Sequence, residues 1–500
     1  MEKESEILGR ARRYEVTAEK KVEESDRPLF HLSTRCGWMN DPNGFCRYHG
    51  EYHMFYQYHP YSTDWGPMHW GHAVSSDLLH WKYLPAALAP DAFYDAGGCF
   101  SGSALTLPDG RHLLMYTGVS GKKKNEEAES CQTQCIAVGD GIEYQKYEHN
   151  PVIDGKNLPE GFSRADFRDP KILQEKDGSY TCIIGNRAQN GNGQLLQFRS
   201  EDALSWRYDK ILIRNDGRFG RMWECPDYFD LDGKKVLLIS PQDMLPEPDE
   251  FAGGNGTLCL IGNTASGEFR TEAVQTVDFG IDFYAMQTVK AEDGRRIMIG
   301  WMQNWDTCMV RRKDAGWFGQ MSLPRELHLK NRKLLQSPVR ELEQMHGRRV
   351  RYTAERISDR RQLDGICGRR LDLEMTIRPD ENAEYNKLKR FTMRFAMTGG
   401  GAEHLFYSSL TYDASLHRLT LDRKYSGIRR AALHDAQCPV TGDTEELKLR
   451  IILDRYSAEV FVNDGQQVLT MLICTEQNAD QIDFEADGTA VMNMTCYELV

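Results

Sequence analysis

The sequence predicts an all-β protein in two parts, a five-bladed β-propeller followed by an antiparallel β-sandwich. Three observations lead there. Aromatic residues beside short turn signals recur at Trp81, Tyr144, Trp206 and Phe269, spaced by 63, 62 and 63 residues, as expected of one turn-plus-strand unit repeated in successive blades. All nine tryptophans lie before residue 318, so the composition changes near residue 320. Beyond that change, apolar residues alternate with period two, the pattern of half-buried strands.

Residues 1–30 are rich in Glu, Lys and Arg, with a helix-like stretch from Ile7 to Val22; the charge density makes a solvated helix the expectation. Residues 31–335 divide by the 63-residue period into about five units, and short strands with turn punctuation make each unit a four-stranded blade. The repeated segments are Ser76 to Trp81, Asp140 to Tyr144, Ser200 to Trp206 and Ser266 to Phe269. In residues 336–350, Ser337-Pro338 precedes Val339, Leu342 and Met345 at helical spacing, and Gly347 closes the run, which predicts one short linker helix. Residues 351–500 alternate at Leu371, Leu373, Met375 and Ile377, at Phe391, Met393, Phe395 and Met397, and at Leu447, Leu449, Ile451 and Leu453. Val460-Phe461-Val462 before Asn463-Asp464-Gly465 adds a hairpin, completing a sandwich.

The 62 Lys and Arg against 74 Asp and Glu give a net charge of −12, which excludes a nucleic-acid backbone as the main partner. With 40% hydrophobic and 27% charged residues and no apolar run of bilayer length, no membrane partner is expected either. Met1 to Glu6 lacks the apolar core of a secretory signal. Thirteen cysteines are scattered from Cys36 to Cys496, with only Cys131 and Cys135 close together. That pattern reads as reduced thiols in a cytoplasmic protein, without a zinc site.

Three acidic segments each set a carboxylate beside a conformationally fixed residue: Trp38 to Gly44 with Asp41-Pro42, Phe167 to Pro170 with Asp169, and Trp223 to Pro226 with Glu224. Singly they read as an Asp-Pro-Asn-Gly turn, an Arg168–Asp169 ion pair and a strand end. Asp169 lies 128 residues after Asp41, and Glu224 55 after Asp169, about two periods and one. That spacing puts the three on equivalent strands of blades one, three and four, converging on the propeller axis. Trp223 and Cys225 are expected to desolvate Glu224 and raise its pKa, as a general acid requires, while Arg168 holds Asp169 ionised. One raised and one ionised carboxyl flanking a bond is the arrangement that cleaves glycosidic bonds, and the absence of a His-rich ligand set speaks against a metal. Trp38, Trp65, Trp70, Phe100 and Trp301 are candidates to stack on sugar faces, with Asn40, Gln57 and Ser101 as hydroxyl partners.

At these residues the sequence resembles glycoside hydrolase family 32, the β-fructofuranosidases: invertases, sucrose-6-phosphate hydrolases and fructan hydrolases. The resemblance runs from about His31 to the C-terminus and rests on Trp38 to Gly44, Phe100 to Ser103, Phe167 to Pro170 and Trp223 to Asp227. It implies a retaining exo-hydrolase that releases terminal β-fructofuranosyl units from sucrose or short fructo-oligosaccharides through a covalent intermediate. Asp41 would be the nucleophile and Glu224 the acid and base, with Asp169 holding fructose hydroxyls and Arg168 beside it. Asn40, Gln57, Trp65, Phe100, Ser101, Tyr284 and Trp301 would line the pocket. Neither metal nor organic cofactor is implied. Sucrose 6-phosphate hydrolysis, fructosyl transfer and a homodimer through the sandwich are left open. Lys122, Lys123 and Lys124 would suit a sugar phosphate, but Glu126, Glu127 and Glu129 make that run a mixed-charge exposed loop. A binding module without chemistry is disfavoured, because it needs no cluster of three acids.

Overall fold

The computed structural model describes residues 5–120, 131–264, 267–310, 315–383, 386–399, 405–427, 433–441 and 446–500. The Lys and Glu run of 122–129 and Ser266 lie outside these.

Residues 37–338 form five sheets in chain order, each built on four antiparallel strands, the first joined by one further short strand. Their first strands are Gly37–Tyr48, Gly98–Thr106, Phe167–Gln174, Met222–Leu231 and Tyr284–Lys290. Each of these packs on the next and the fifth packs back on the first, so the five close into a ring. That is the propeller. Closure is reinforced by Trp317–Phe318, a two-residue strand reached from blade five, which pairs in parallel with Gly37 and Trp38 of blade one.

The repeat has a physical basis in one turn. Ser75 Oγ accepts the N–H groups of Asp77 and Leu78, and Asp77 Oδ1 accepts those of Leu79 and His80. In blade three Ser200 and Asp202 make the same four bonds to Asp202, Ala203, Leu204 and Ser205. The serine equivalent to Ser200 is therefore Ser75, one residue before the Ser76 that begins the repeat by sequence. The fourth strands begin at Lys82, Tyr144, Arg207 and Arg270, so the 63-residue aromatics mark the entry to each blade's outer edge.

Two expected elements differ. The N-terminal helix spans Glu6–Glu19, with Ser5 Oγ accepting the Leu8 N–H as its cap, and it is docked rather than solvated. Leu8, Ala11 and Glu15 are buried. Glu15 Oε1 accepts the Ala86 N–H at 3.1 Å and Arg12 Nε donates to the Ala86 carbonyl at 3.0 Å. The helix thus covers part of the open edge of strand Lys82–Leu88, which would otherwise offer unpaired backbone groups to other chains. The linker is a six-residue 3₁₀ helix, Arg340–Met345, between strands Lys333–Pro338 and His346–Ile357. Its buried Val339, Leu342 and Met345 recur every three residues, which fits a helix of three residues per turn.

The sandwich stacks two sheets around one apolar core. Strand order is His346–Ile357, Ala490–Leu499, Leu371–Pro379, Leu447–Asp454, Ser457–Val462, Gln467–Leu472 in one sheet. The other runs Asp435–Pro439, Arg418–Asp422, Ser408–Asp413, Arg390–Met397, Gln481–Asp487. Buried charges join it to the propeller. His31 Nδ1 lies 2.8 Å from Asp454 and its Nε2 2.9 Å from Glu459. Arg325 donates to Glu459 at 2.6 Å and to Asp278 at 2.9 Å.

Candidate active site

Every innermost strand is bulged near its start. Pairing shifts between Met39 and Pro42, Phe100 and Gly102, Arg168 and Lys171, Glu224 and Asp227, and Tyr284 and Gln287. A bulge turns a side chain out of the pleat and increases local twist, and here five of them aim side chains at the axis from one end of the ring. Asp169, Cys225 and Ala285 take φ of 67°, 48° and 54°, strain that non-glycine residues hold only where the surroundings impose it. Pro42, Pro170 and Pro226 sit at three of the bulges, where no ladder N–H is required. The expected turn at Asp41 to Gly44 is therefore the middle of a twelve-residue strand. Asn43-Gly44 reads like a hairpin turn, but Gly44 serves a second bulge at φ 53°, where a Cβ would meet the Phe55 ring at 2.9 Å.

The three carboxylates converge as their spacing predicts. Asp41 Oδ1 accepts the Asn40 amide at 3.0 Å and Oδ2 accepts Ser101 Oγ at 2.7 Å; Asn40 is itself held by Trp38 Nε1 at 2.7 Å. Cys225 joins blades: its Sγ lies 3.4 Å from Asp41 Oδ2 and 3.7 Å from Asp169 Oδ2, and its N–H donates to Asp169 at 2.9 Å. Burial, then the charge of Glu224, raises the pKa of Asp41 against the bonds it accepts. Burial and the charges of Glu224 and Asp41 push Asp169 up to about 7, opposed by Arg168.

The neighbours of Glu224 and Asp169 act differently from expectation. The Trp223 indole packs between blades three and four and donates to the Phe219 carbonyl, and the Cys225 thiol points at the aspartates, so neither covers the Glu224 carboxyl. Glu224 Oε1 instead accepts Arg168 Nε at 2.9 Å, and Oε2 accepts Gln242 Nε2 and the Tyr284 hydroxyl, each at 2.8 Å. Arg168 also donates to Asp166 and Gln132. Its guanidinium is committed to Glu224 and Asp166 rather than bonded to Asp169.

The remaining predicted residues divide. Gln57 is buried and donates to the Cys99 carbonyl at 3.1 Å. Trp38, Tyr284 and Trp301 form one aromatic wall with Cys225 and Phe318, and Phe100 packs against it. The Trp301 indole N–H is buried and has no hydrogen-bond partner among the described residues. Trp65 is half exposed, its ring edge-on to Phe100 at 6.1 Å. Trp70 is not at the site: it fills the gap between blades one and two beside Phe55 and Tyr116.

Sequence reasoning missed Gln242, Gln132, Asp166 and Thr117, whose Oγ1 accepts the Asp169 N–H at 2.9 Å. Gln242 carried a signal. Leu231 and Lys234 flank a two-residue Asp232-Gly233 turn that puts Gln242 and Ser240 on one face of the returning strand, and the bulge between Glu224 and Asp227 then sets Ser240 opposite Glu224 and Gln242 opposite Met222. Gln132, Asp166 and Thr117 come from other strands and loops and carry no local mark.

Comparison with known proteins bears on this geometry. Residues 31–338 match the glycosyl hydrolases family 32 N-terminal domain, and residues 341–498 the family 32 C-terminal domain. A raffinose invertase of Escherichia coli is 37% identical over 470 residues, covering 93% of each chain. A sucrose-6-phosphate hydrolase of the same species is 36% identical over 477 residues, again covering 93% of each. Among solved structures, a mutant family 32 β-fructofuranosidase of Bombyx mori in complex with sucrose superposes with a TM-score of 0.82 at 30% identity over 99% of both chains.

Proposed function

The chain belongs to glycosyl hydrolase family 32 and hydrolyses β-fructofuranosides, and on that premise we propose that Asp41, Glu224 and Asp169 carry the reaction on sucrose or short fructo-oligosaccharides. The observation that carries this reading is the convergence of Asp41 and Asp169 on Cys225, beside Glu224 held by Arg168, Gln242 and Tyr284.

Asp41 attacks the anomeric C2 of the terminal fructosyl unit, forming a C2–O ester bond as the C2–O bond to the leaving sugar breaks. Glu224 gives its proton to that leaving oxygen. Water then enters, Glu224 takes a proton from it, and its oxygen displaces Asp41 at C2, so configuration is retained and the enzyme is restored. Ser101 and Asn40, each donating to Asp41, leave the carboxylate fixed in direction with little reorganisation on attack. Asp169 accepts from fructose hydroxyls, and the free indole N–H of Trp301 is available to the sugar. Tyr284 is placed to serve both forms of Glu224. Its single hydroxyl hydrogen has two acceptors in reach, Glu224 at 2.8 Å and the Ser240 carbonyl at 3.0 Å. It donates to the carboxylate form, and by turning to Ser240 it offers its lone pair to the acid form.

Asp41→Ala and Glu224→Gln are expected to lower fructose release from sucrose by several orders of magnitude in proteins that remain folded. Near wild-type release by either variant overturns the assignment.

A further inference from the structure

Arg168 holds the acid of the proposed reaction, and it also holds a carboxylate that the reaction does not use. Asp166 and Arg168 stand two residues apart where the chain enters strand Phe167–Gln174, so their side chains leave on the same side. They meet there: Asp166 Oδ1 accepts Arg168 Nη1 at 3.0 Å. Asn186 pairs with Phe167 across the ladder, which sets Arg187 opposite Asp166, and Arg187 Nη2 lies 2.9 Å from Asp166 Oδ2. The backbone is tied down as well, since Asn186 Nδ2 donates to the Asp166 carbonyl at 2.8 Å and the Asp166 N–H donates to Ser163 Oγ at 3.0 Å. One carboxylate oxygen thus faces Arg168 and the other Arg187.

The Arg168 guanidinium is shared. Its Nε donates to Glu224 at 2.9 Å, its Nη1 to Asp166 and, at 3.3 Å, to Gln132, and its Nη2 lies 3.5 Å from Gln242 Oε1. Burial acts against this charge, but the charges of Glu224, Asp169 and Asp166 outweigh it and hold the pKa of Arg168 above the ordinary arginine value. A guanidinium favours a charged partner, whereas the first step needs Glu224 to carry a proton. Asp166 opposes that pull with a negative charge on the same guanidinium. Arg187, whose side chain is 45% exposed, offsets part of the Asp166 charge from the solvent side. The other ionisable groups that act on Glu224 are Asp41, Asp169, Cys225 and Tyr284, and all of them are common to the variants compared below.

We propose that Asp166 is a positioning residue for the acid: by dividing the Arg168 charge between two carboxylates it lets Glu224 hold its proton at a pH where Asp41 is ionised, and Arg187 sets how much of that charge Asp166 takes. This role presupposes Glu224 as the acid and base. It also gives the two partners opposite signs. Asp166→Asn keeps the shape and an acceptor for Nη1 but removes the competing anion, whereas Arg187→Gln leaves the Asp166 anion to Arg168 alone.

The test is the pH profile of kcat/KM on sucrose for wild type, Asp166→Asn and Arg187→Gln. Its basic limb reports loss of the proton from the acid, and its acid limb protonation of the nucleophile. In Asp166→Asn the basic limb should move down by about one pH unit, the lower end of what a neighbouring charge does. Activity then falls about tenfold on that limb, while the plateau below it stays within about twofold of wild type. In Arg187→Gln the same limb should move up by roughly a few tenths of a unit, because solvent screens an exposed guanidinium. Limbs that stay in place, movement in the reverse direction, or an equal loss at every pH, as a change of shape alone would give, overturns the role of Asp166. Urea midpoints measured beside the profiles separate any loss due to unfolding, and the surface variant Arg187→Gln keeps the test decisive if Asp166→Asn does not fold. Near wild-type fructose release by Glu224→Gln would instead remove the acid on which this role depends.

Discussion

Replacing His31 by glutamine tests whether the two domains are held by a buried charge. The imidazole lies between Asp454 and Glu459, at 2.8 and 2.9 Å, with all three side chains essentially inaccessible to water. Burial by itself would push the ring's pKa down. The two carboxylates outweigh it and carry it from 6.5 up to about 9, so the ring is an imidazolium donating from both nitrogens. A folded pKa above the unfolded one stabilises fully below pH 6.5 and is lost as pH rises through about 9. At about 1.4 kcal/mol per unit, the shift corresponds to on the order of 3 kcal/mol. A neutral ring has one N–H and would leave one carboxylate without its donor. The stability gap between wild type and His31→Gln, read from urea unfolding between pH 6 and 9.5, should therefore be widest at pH 6 and shrink by roughly that amount by pH 9.5. The other titrating groups are common to both proteins and cancel in the difference. A gap that does not change with pH refutes the imidazolium and with it the ionic account of the domain junction.

Arg168→Lys keeps the charge but loses the fork that joins Glu224, Asp166 and Gln132; kcat/KM on sucrose should fall about a hundredfold with unfolding midpoints nearly unchanged. Glu15, whose pKa burial raises from 4.5 to about 7, lowers stability progressively as pH rises from 4.5 to 7. Glu15→Gln should gain on wild type over that window by up to about 3 kcal/mol, and a constant difference in denaturant midpoint would count against the docked helix. Gly319→Ala adds a Cβ 2.1 Å from the Met39 carbonyl at φ 96°, beside the seam that closes the propeller. It should cost at least about 3 kcal/mol in thermal or urea unfolding and reduce fructose release as Asn40 and Asp41 shift.

What the sequence made legible was what depends on period. The 63-residue spacing follows from the turn that precedes a blade's outer strand, built by Ser and Asp in blades one and three and by Asp140 in blade two, and the alternating strands of the sandwich follow from a two-sided pleat. Asp41, Asp169 and Glu224 were found because they keep that period. Sequence fails as a guide where neighbours along the chain are not neighbours in space. Adjacent residues of a strand point to opposite faces, so Trp223 could not cover Glu224, and Arg168 reaches the next blade's carboxylate rather than Asp169. Asn43-Gly44 has turn chemistry but serves a bulge, because Pro42 and the strand around it continue the sheet. The docking of Glu15 depends on Arg12, Arg35 and a strand edge 71 residues away, which no local pattern encodes.

The junction with the sandwich and the strand that carries Asp41 are parts of one hydrogen-bonded path. Glu459 of the sandwich accepts the Leu323 N–H at 2.7 Å, and Met321 N donates to the Leu32 carbonyl at 2.8 Å. The same segment then gives the Gly319 and Gly316 carbonyls to the N–H groups of Thr34 and Gly37, and Trp317–Phe318 pairs with Gly37 and Trp38. Phe318 stacks on Trp38 at 4.4 Å between ring centres, and Trp38 fixes Asn40, the partner of Asp41. Among the described residues, the last sheet of the ring takes its four strands from residues 284–338 and none from the N-terminal segment, while Trp317–Phe318, between its second and third strands, leaves it to join blade one. Residues 316–323 do that closing work instead, and their far end is anchored on a sandwich carboxylate that also holds His31 and Arg325. The second domain therefore acts on the first through geometry: it contributes none of the three carboxylates, yet it fixes the segment that sets the position of Asp41.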